Sequence, residues 1–214
     1  MKYKDKIIPA IIAKTQKELD ERISKVIDFV DLIQLDFMDG RFVPNKSIDF
    51  DFKLQKTKCH FEAHLMIKNP EKWIEKNYMK VDTILAHFES CDDPLKIIDL
   101  VKSKKKRMGF VLNPETSARK IEKYLDDLDQ VLIMTVNPGF YGSPFLPEMI
   151  DKISELRKMK SDLDIEVDGG ITPETIYKVY NAGANMFVSG SYIVNAANVQ
   201  MAIDKLKDEK DELH

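Results

Sequence analysis

Short apolar runs alternate with longer amphipathic stretches along the whole chain. The runs are Ile7–Ile12, Leu32–Phe37, His60–Met66, Thr83–Phe88, Met108–Leu112, Gln130–Thr135, Ile165–Val167 and Met186–Ser189. Each has the length and the β-branched or aromatic content of a strand. The stretches between them carry helical spacing. Thr15 to Glu18 has the form of a capping box, and Leu19, Ile23, Ile27 and Val30 follow on one face. Pro70 opens a second helix with Trp73, Ile74 and Tyr78 on one side, and Pro94 a third with Leu95, Ile98 and Val101. Thr116–Leu125, Pro147–Met159 and Pro173–Ala182 repeat the pattern. Proline at a helix start loses no intrahelical hydrogen bond, which accounts for its recurrence there.

Strand–helix alternation implies parallel strands joined by crossovers. Eight repeats without a linker or a change of composition predict an α/β fold with one domain spanning 1–214, a single closed (β/α)8 TIM barrel. No GxGxxG follows the first run, which argues against a doubly wound dinucleotide-binding sheet. In a barrel the active site lies at the C-terminal ends of the strands. Asp36, His64, His87, Asn113, Asn137, Asp168 and Ser189 stand at those ends.

Composition narrows the function without choosing it. The chain is 43% hydrophobic with a formal charge of −3, so neither nucleic acid nor an anionic membrane is an expected partner. The one dense basic run, Lys104 to Arg107, is expected to be a solvated loop. No apolar stretch approaches the roughly 18 residues of a membrane span. Cys59 and Cys91 belong to no CxxC pair, and Ile7–Ile12 is short for a signal sequence, which together predict a cytoplasmic protein. The charged end of the chain reads as a fraying helix, its Lys210–Leu213 followed by His214 rather than terminal.

Four segments carry more specific information: Gln34 to Asn45 (QLDFMDGRFVPN), Ala63 to Ile67 (AHLMI), Val136 to Gly142 (VNPGFYG) and Glu166 to Gly170 (EVDGG). In this order and spacing they resemble the ribulose-phosphate 3-epimerase family, and the resemblance runs from Pro9 to about Ser191. It implies a ribulose-phosphate-binding barrel of carbohydrate metabolism that inverts C3 of a ketose phosphate, D-ribulose 5-phosphate to D-xylulose 5-phosphate, as in the pentose phosphate pathway. By the family pattern Asp36 and Asp168 are the proton-transfer pair on opposite faces of an enediolate. The same pattern makes Asp36, His64 and Asp168 ligands of one divalent metal ion, with Gln34 at the fourth position. Inverting a carbon needs two acid/base groups across a flat intermediate, which suits two aspartates.

The resemblance further implies substrate contacts. Met38, Met66 and Met134 form a methionine cluster over the sugar, and His64 touches the substrate as well as the metal. Gly139, Phe140, Tyr141 and Gly142 form a cover, while Gly169, Gly170, Gly190 and Ser191 hold the phosphate. The family forms homo-oligomers.

Three positions depart from the family. Gln34 stands where a histidine ligand is usual, Ala10 where a substrate-contacting serine is usual, and Ser143 where a glutamine is usual. An amide oxygen in place of imidazole makes the ligand set oxygen-rich, which shifts preference from zinc toward magnesium or manganese, the candidate ions being magnesium, manganese, iron and zinc. Two alternatives remain open at this level. Thr135–Pro138 and Pro144–Glu148 resemble the allulose-6-phosphate 3-epimerase type, which acts on a ketohexose 6-phosphate; the other alternative is a non-catalytic phosphosugar-binding barrel that lost its metal. An aldolase or decarboxylase of the hexulose-phosphate synthase kind needs Asp-x-Lys-x-x-Asp, and Asp36 to Asp39 lacks the lysine.

Overall fold

A computed structural model describes residues 5–139 and 142–211. Its ten strands are β1 (Lys6–Ile8), β2 (Ala10–Ile11), β3 (Leu32–Asp39), β4 (Lys46–Ser47), β5 (His60–Met66), β6 (Thr83–His87), β7 (Arg107–Leu112), β8 (Gln130–Met134), β9 (Asp164–Asp168) and β10 (Met186–Val188). Their order is β1-β10-β9-β8-β7-β6-β5-β3-β2, and every pair is parallel except the short β3–β4 ribbon. Pro9, which has no N–H to give a ladder, splits the first apolar run. Its first half pairs with β10 and its second with β3, so the first run borders both the last strand and the second run and joins the ring.

Among the described residues seven α-helices pack outside: α1 (Gln16–Val26), α2 (Glu71–Asn77), α3 (Pro94–Ser103), α4 (Met149–Met159), α5 (Pro173–Asn181), α6 (Ser191–Val194) and α7 (Val199–Asp211). α1 shows half of the expected capping box. Thr15 accepts from the Glu18 N–H at 3.2 Å, while Glu18 reaches back to the Lys14 N–H at 2.8 Å, one residue earlier than the motif requires. Leu19, Ile23 and Val26 are its buried stripe, and a fully buried aliphatic side chain contributes roughly 1.5–3 kcal/mol.

Two crossovers depart from the expected pattern. The helix expected at Thr116–Leu125 is a 3-10 helix, Ala118–Asp127. Ala118, Ile121 and Tyr124 are buried at a spacing of three, which a threefold helix lines up on one face. Among the described residues no helix stands between β3 and β5. Irregular chain covers that sector, and Phe52 plugs it, with ring centroids 5.1 Å from Phe37 and 6.5 Å from Trp73.

The basic run is not wholly a solvated loop either. Arg107 is half-buried at the start of β7, and its Nη2 donates to Asp164 Oδ2 at 3.0 Å and Gln130 Oε1 at 3.3 Å.

The twofold period of the strands decides what faces the barrel axis. On β5, Phe61, Ala63 and Leu65 join the large core between sheet and helices. The alternate residues Glu62, His64 and Met66 turn inward. The same parity sends Gln34, Asp36 and Met38 of β3 inward, and Glu166 and Asp168 of β9. The interior also holds two apolar clusters, one around Ile8, Leu32, Met186 and Val188 and one around Leu85, Val111, Leu132 and Met134.

Candidate active site

At the C-terminal ends of the strands lies an open cleft. Asp36, His64, Asp168, Ala10, Met38, Met66, Met134, Gly139, Gly142, Gly169, Gly170, Gly190 and Ser191 all line it, and Ile12, Val136, Pro138 and Ser143 join them. Phe140 and Tyr141 lie outside the described residues. The other polar strand-end residues do not line it. Ser189 turns its hydroxyl to the Ile171 carbonyl at 2.8 Å, and Asn137 is exposed.

Register brings the charged groups together. Asp36 pairs with His64 across β3–β5, and Asp168 comes from the far side of the ring on β9. One ligand atom from each of Asp36, His64 and Asp168 lies within 4.8 Å of the others. Beneath them Gln34, fully buried, gives Nε2 hydrogen bonds to Asp36 Oδ1 at 2.9 Å and Asp168 Oδ2 at 2.8 Å. His64 Nδ1 stands 3.2 Å from Asp36 Oδ1 and 3.4 Å from Asp168 Oδ2. Gln34 Oε1 is buried with no hydrogen-bond partner.

Burial pushes the Asp36 carboxyl above the usual carboxylate range, against the pull of His64. His64 moves the other way: burial lowers it, but hydrogen bonds to Asp168 and Asp36 outweigh burial and lift it to about 9. Behind His64 stands His87, whose Nε2 is 2.9 Å from His64 Nε2. Burial lowers His87 to about 4 and keeps its ring neutral.

The glycines that follow β9 are set by backbone and packing together. Gly169 has φ +118° and Gly170 φ +65°; a Cβ at Gly169 would stand 2.3 Å from Val136 Cγ2, and one at Gly170 2.8 Å from Phe145 Cβ. No side chain can separate this loop from the cleft it borders.

The ribulose-phosphate 3 epimerase family model matches residues 6–194. The chain belongs to that family.

Membership makes this epimerase-family chain an isomerase acting on a carbohydrate. It is 38% identical to a ribulose-phosphate 3-epimerase of Bacillus subtilis, over 96% of this chain and 99% of the relative. A relative of the same name from Synechocystis is 39% identical, over 95% and 94%. Solved structures share the fold at lower identity. 3-Keto-L-gulonate-6-phosphate decarboxylase of Vibrio cholerae superposes with a TM-score of 0.70 at 13% identity, covering 99% of this chain and 100% of that one. 3-Hexulose-6-phosphate synthase of Salmonella typhimurium gives 0.69 at 18%, covering 98% and 100%. Among the described residues no helix is long and apolar enough to cross a membrane.

Three features of the epimerase interior escape a sequence reading. His87 stands at a strand end, but only the structure shows it against His64. Glu62 and Glu166 sit two residues before His64 and Asp168 on the same inward face and are fully buried. The alternation of β5 and β9 carries that signal, since an acid on the inward parity of a barrel strand has nowhere else to go.

Proposed function

We propose that the chain interconverts D-ribulose 5-phosphate and D-xylulose 5-phosphate by moving the C3 proton between Asp36 and Asp168. The observation that carries this is the aspartate pair itself. Two carboxylates from separate strands are spanned by one amide, at 2.9 and 2.8 Å, on the floor of a cleft. One of them, ionised, takes the proton from C3. The other, protonated, gives its own proton to the opposite face of the planar enediolate, and the reverse reaction exchanges the roles. Burial makes Asp36 a stronger base than an exposed carboxylate, which suits removal of a proton from carbon.

The donor set fits a divalent cation. Three candidate ligand atoms within 4.8 Å of one another can surround a single ion, and the orphaned Gln34 Oε1 supplies a fourth donor once its amide turns over. Gln34, Asp36, His64 and Asp168 would hold it. A cation there supplies Lewis-acid stabilisation of the negative charge that develops on the sugar oxygens. Two or more oxygen donors favour magnesium or manganese over zinc or iron. Met38, Met66 and Met134 offer the sugar polarizable surface without an acidic proton. The loops at Gly169–Gly170 and Gly190–Ser191 border the same cleft and take the phosphate.

The test is exchange of the C3 hydrogen with solvent deuterium, run over a panel of pentulose 5-phosphates and ketohexose 6-phosphates. Exchange with ribulose 5-phosphate that needs both aspartates supports the assignment. Preferential exchange of allulose 6-phosphate would move the substrate to the hexulose, and phosphosugar binding without exchange would leave a non-catalytic barrel.

A further inference from the structure

His64 is useful at the cleft only if its Nδ1, the nitrogen facing Asp36 and Asp168, has a lone pair to lend. That depends on where the protons of the ring behind it sit. His64 Nε2 and His87 Nε2 are 2.9 Å apart, and both rings are fully buried. Two ring nitrogens at that distance hold one proton between them, so one donates and the other accepts. The contact alone does not say which.

The far side of His87 decides. Its Nδ1 is buried and meets no hydrogen-bond partner of good geometry; the acid within reach is Glu89, with Oε2 at 3.4 Å. An ionised carboxylate only accepts. Against its burial, His87 and Thr116 beside it hold Glu89 below the usual range of its acid. Its other oxygen, Oε1, accepts the Asn113 backbone N–H at 2.9 Å. Phe42 lies against His87, ring centroids 4.6 Å apart, on one side of this row.

We propose that His87 and Glu89 are positioning residues that fix the tautomer of His64, directing its Nδ1 lone pair to the cleft. Glu89 accepts from His87 Nδ1–H, and a neutral ring with its one proton there has a bare Nε2. His87 Nε2 then accepts from His64 Nε2–H, and Nδ1 of His64 is the nitrogen left for a ligand. A histidine ligand is commonly oriented through its second nitrogen in this way. Here the orienting group is a second histidine, itself set by an acid anchored on the end of β7. The consequence for a metal rests on the cation reading above; the proton order does not.

Glu89→Gln is the sharpest perturbation, because it changes almost no shape. The Asn113 N–H pins the amide oxygen at the Oε1 position, so the NH2 group faces His87 Nδ1. That nitrogen must then accept, His87 Nε2 becomes the donor, and the whole row reverses. Metal-free protein labelled with 15N-histidine, held above the His64 titration near pH 9 so that its ring is neutral, reads the order directly from long-range proton–nitrogen correlations. The wild type is expected to show His87 protonated at Nδ1 and bare at Nε2, and Glu89→Gln the opposite. Calorimetric titration with manganese alone is expected to weaken about 10–100-fold in Glu89→Gln and in His87→Phe, with circular dichroism unchanged. His87→Gln, whose amide oxygen can accept from His64, restores most of the affinity. A wild-type His87 protonated at Nε2, or an unreversed pattern in Glu89→Gln, would overturn the proposal. If manganese fails to bind the wild type, the cation reading falls and the nitrogen pattern still decides the proton order.

Discussion

The barrel interior contains the same arrangement twice. In the upper layer Gln34 Nε2 joins Asp36 and Asp168 at 2.9 and 2.8 Å. In the layer below, Gln130 Nε2 joins Glu62 and Glu166 at 3.3 and 2.6 Å. β9 contributes an acid to each layer, two residues apart. The surroundings differ. The lower acids are fully buried and share an amide whose oxygen is taken by Arg107. Two buried carboxyls in contact cannot both ionise, so burial lifts Glu62 to about 7 and Glu166 well above its usual range. The upper acids border an open cleft, have a histidine between them, and sit over an amide whose oxygen is free. An amide between two acids is thus a structural device in one place and, on the proposed function, a chemical one in the other. Access to a cleft and an unspent acceptor separate the two.

The largest expected effect comes from neutralising each layer in turn. Asp36→Asn and Asp168→Asn should each reduce C3 exchange by about 10²–10⁴-fold, the usual contribution of a positioned acid or base. Glu62→Gln and Glu166→Gln should leave it within a few-fold. Deuterium incorporation followed by NMR checks all four, and wild-type exchange in either aspartate variant would remove the catalytic assignment.

Next comes the cation. Exhaustive chelation should abolish exchange and added manganese should restore it; a fully active metal-free protein would contradict the proposed site. Gln34→His should tighten metal binding by about 10–100-fold, the scale on which changes around a metal are felt. The corresponding Gln130→His should leave the dissociation constant where it was.

The smallest effect is in stability. Glu62 binds its proton more tightly in the folded chain, about 7, than at its ordinary value of 4.5. Between those values the native state holds more protons than the unfolded one, so stability falls as pH rises from about 4.5 to about 7 and levels off above. Thermal melts across that window should show a flatter dependence for Glu62→Gln than for the wild type. Parallel curves would mean that Glu62 titrates normally in the fold.

Much of this was legible in the sequence because it is periodic. The eight apolar runs located the strands, and their C-terminal residues included Asp36, His64 and Asp168, which the fold brings together. What escaped depends on contacts between strands. Phe52 replaces a helix by filling space against Phe37 and Trp73, a fit that no periodicity encodes. The threefold spacing of Ala118, Ile121 and Tyr124 was present in the sequence but lies close to the α-helical period. Arg107 looked like part of a solvated run, and only the pairing of β7 with β8 draws it to Gln130. His87 and Glu89 acquire meaning through His64, whose partners are set by register rather than by neighbours in the chain.

The amide of Gln34 has a consequence for the empty enzyme. Two like charges at a barrel rim push apart unless something lies between them, and here a side chain of the protein itself already does. Such a rim would keep its shape while the proposed ion exchanged with the surroundings, so loss of that ion would be an interruption that reloading reverses, with no rebuilding of the strands around it.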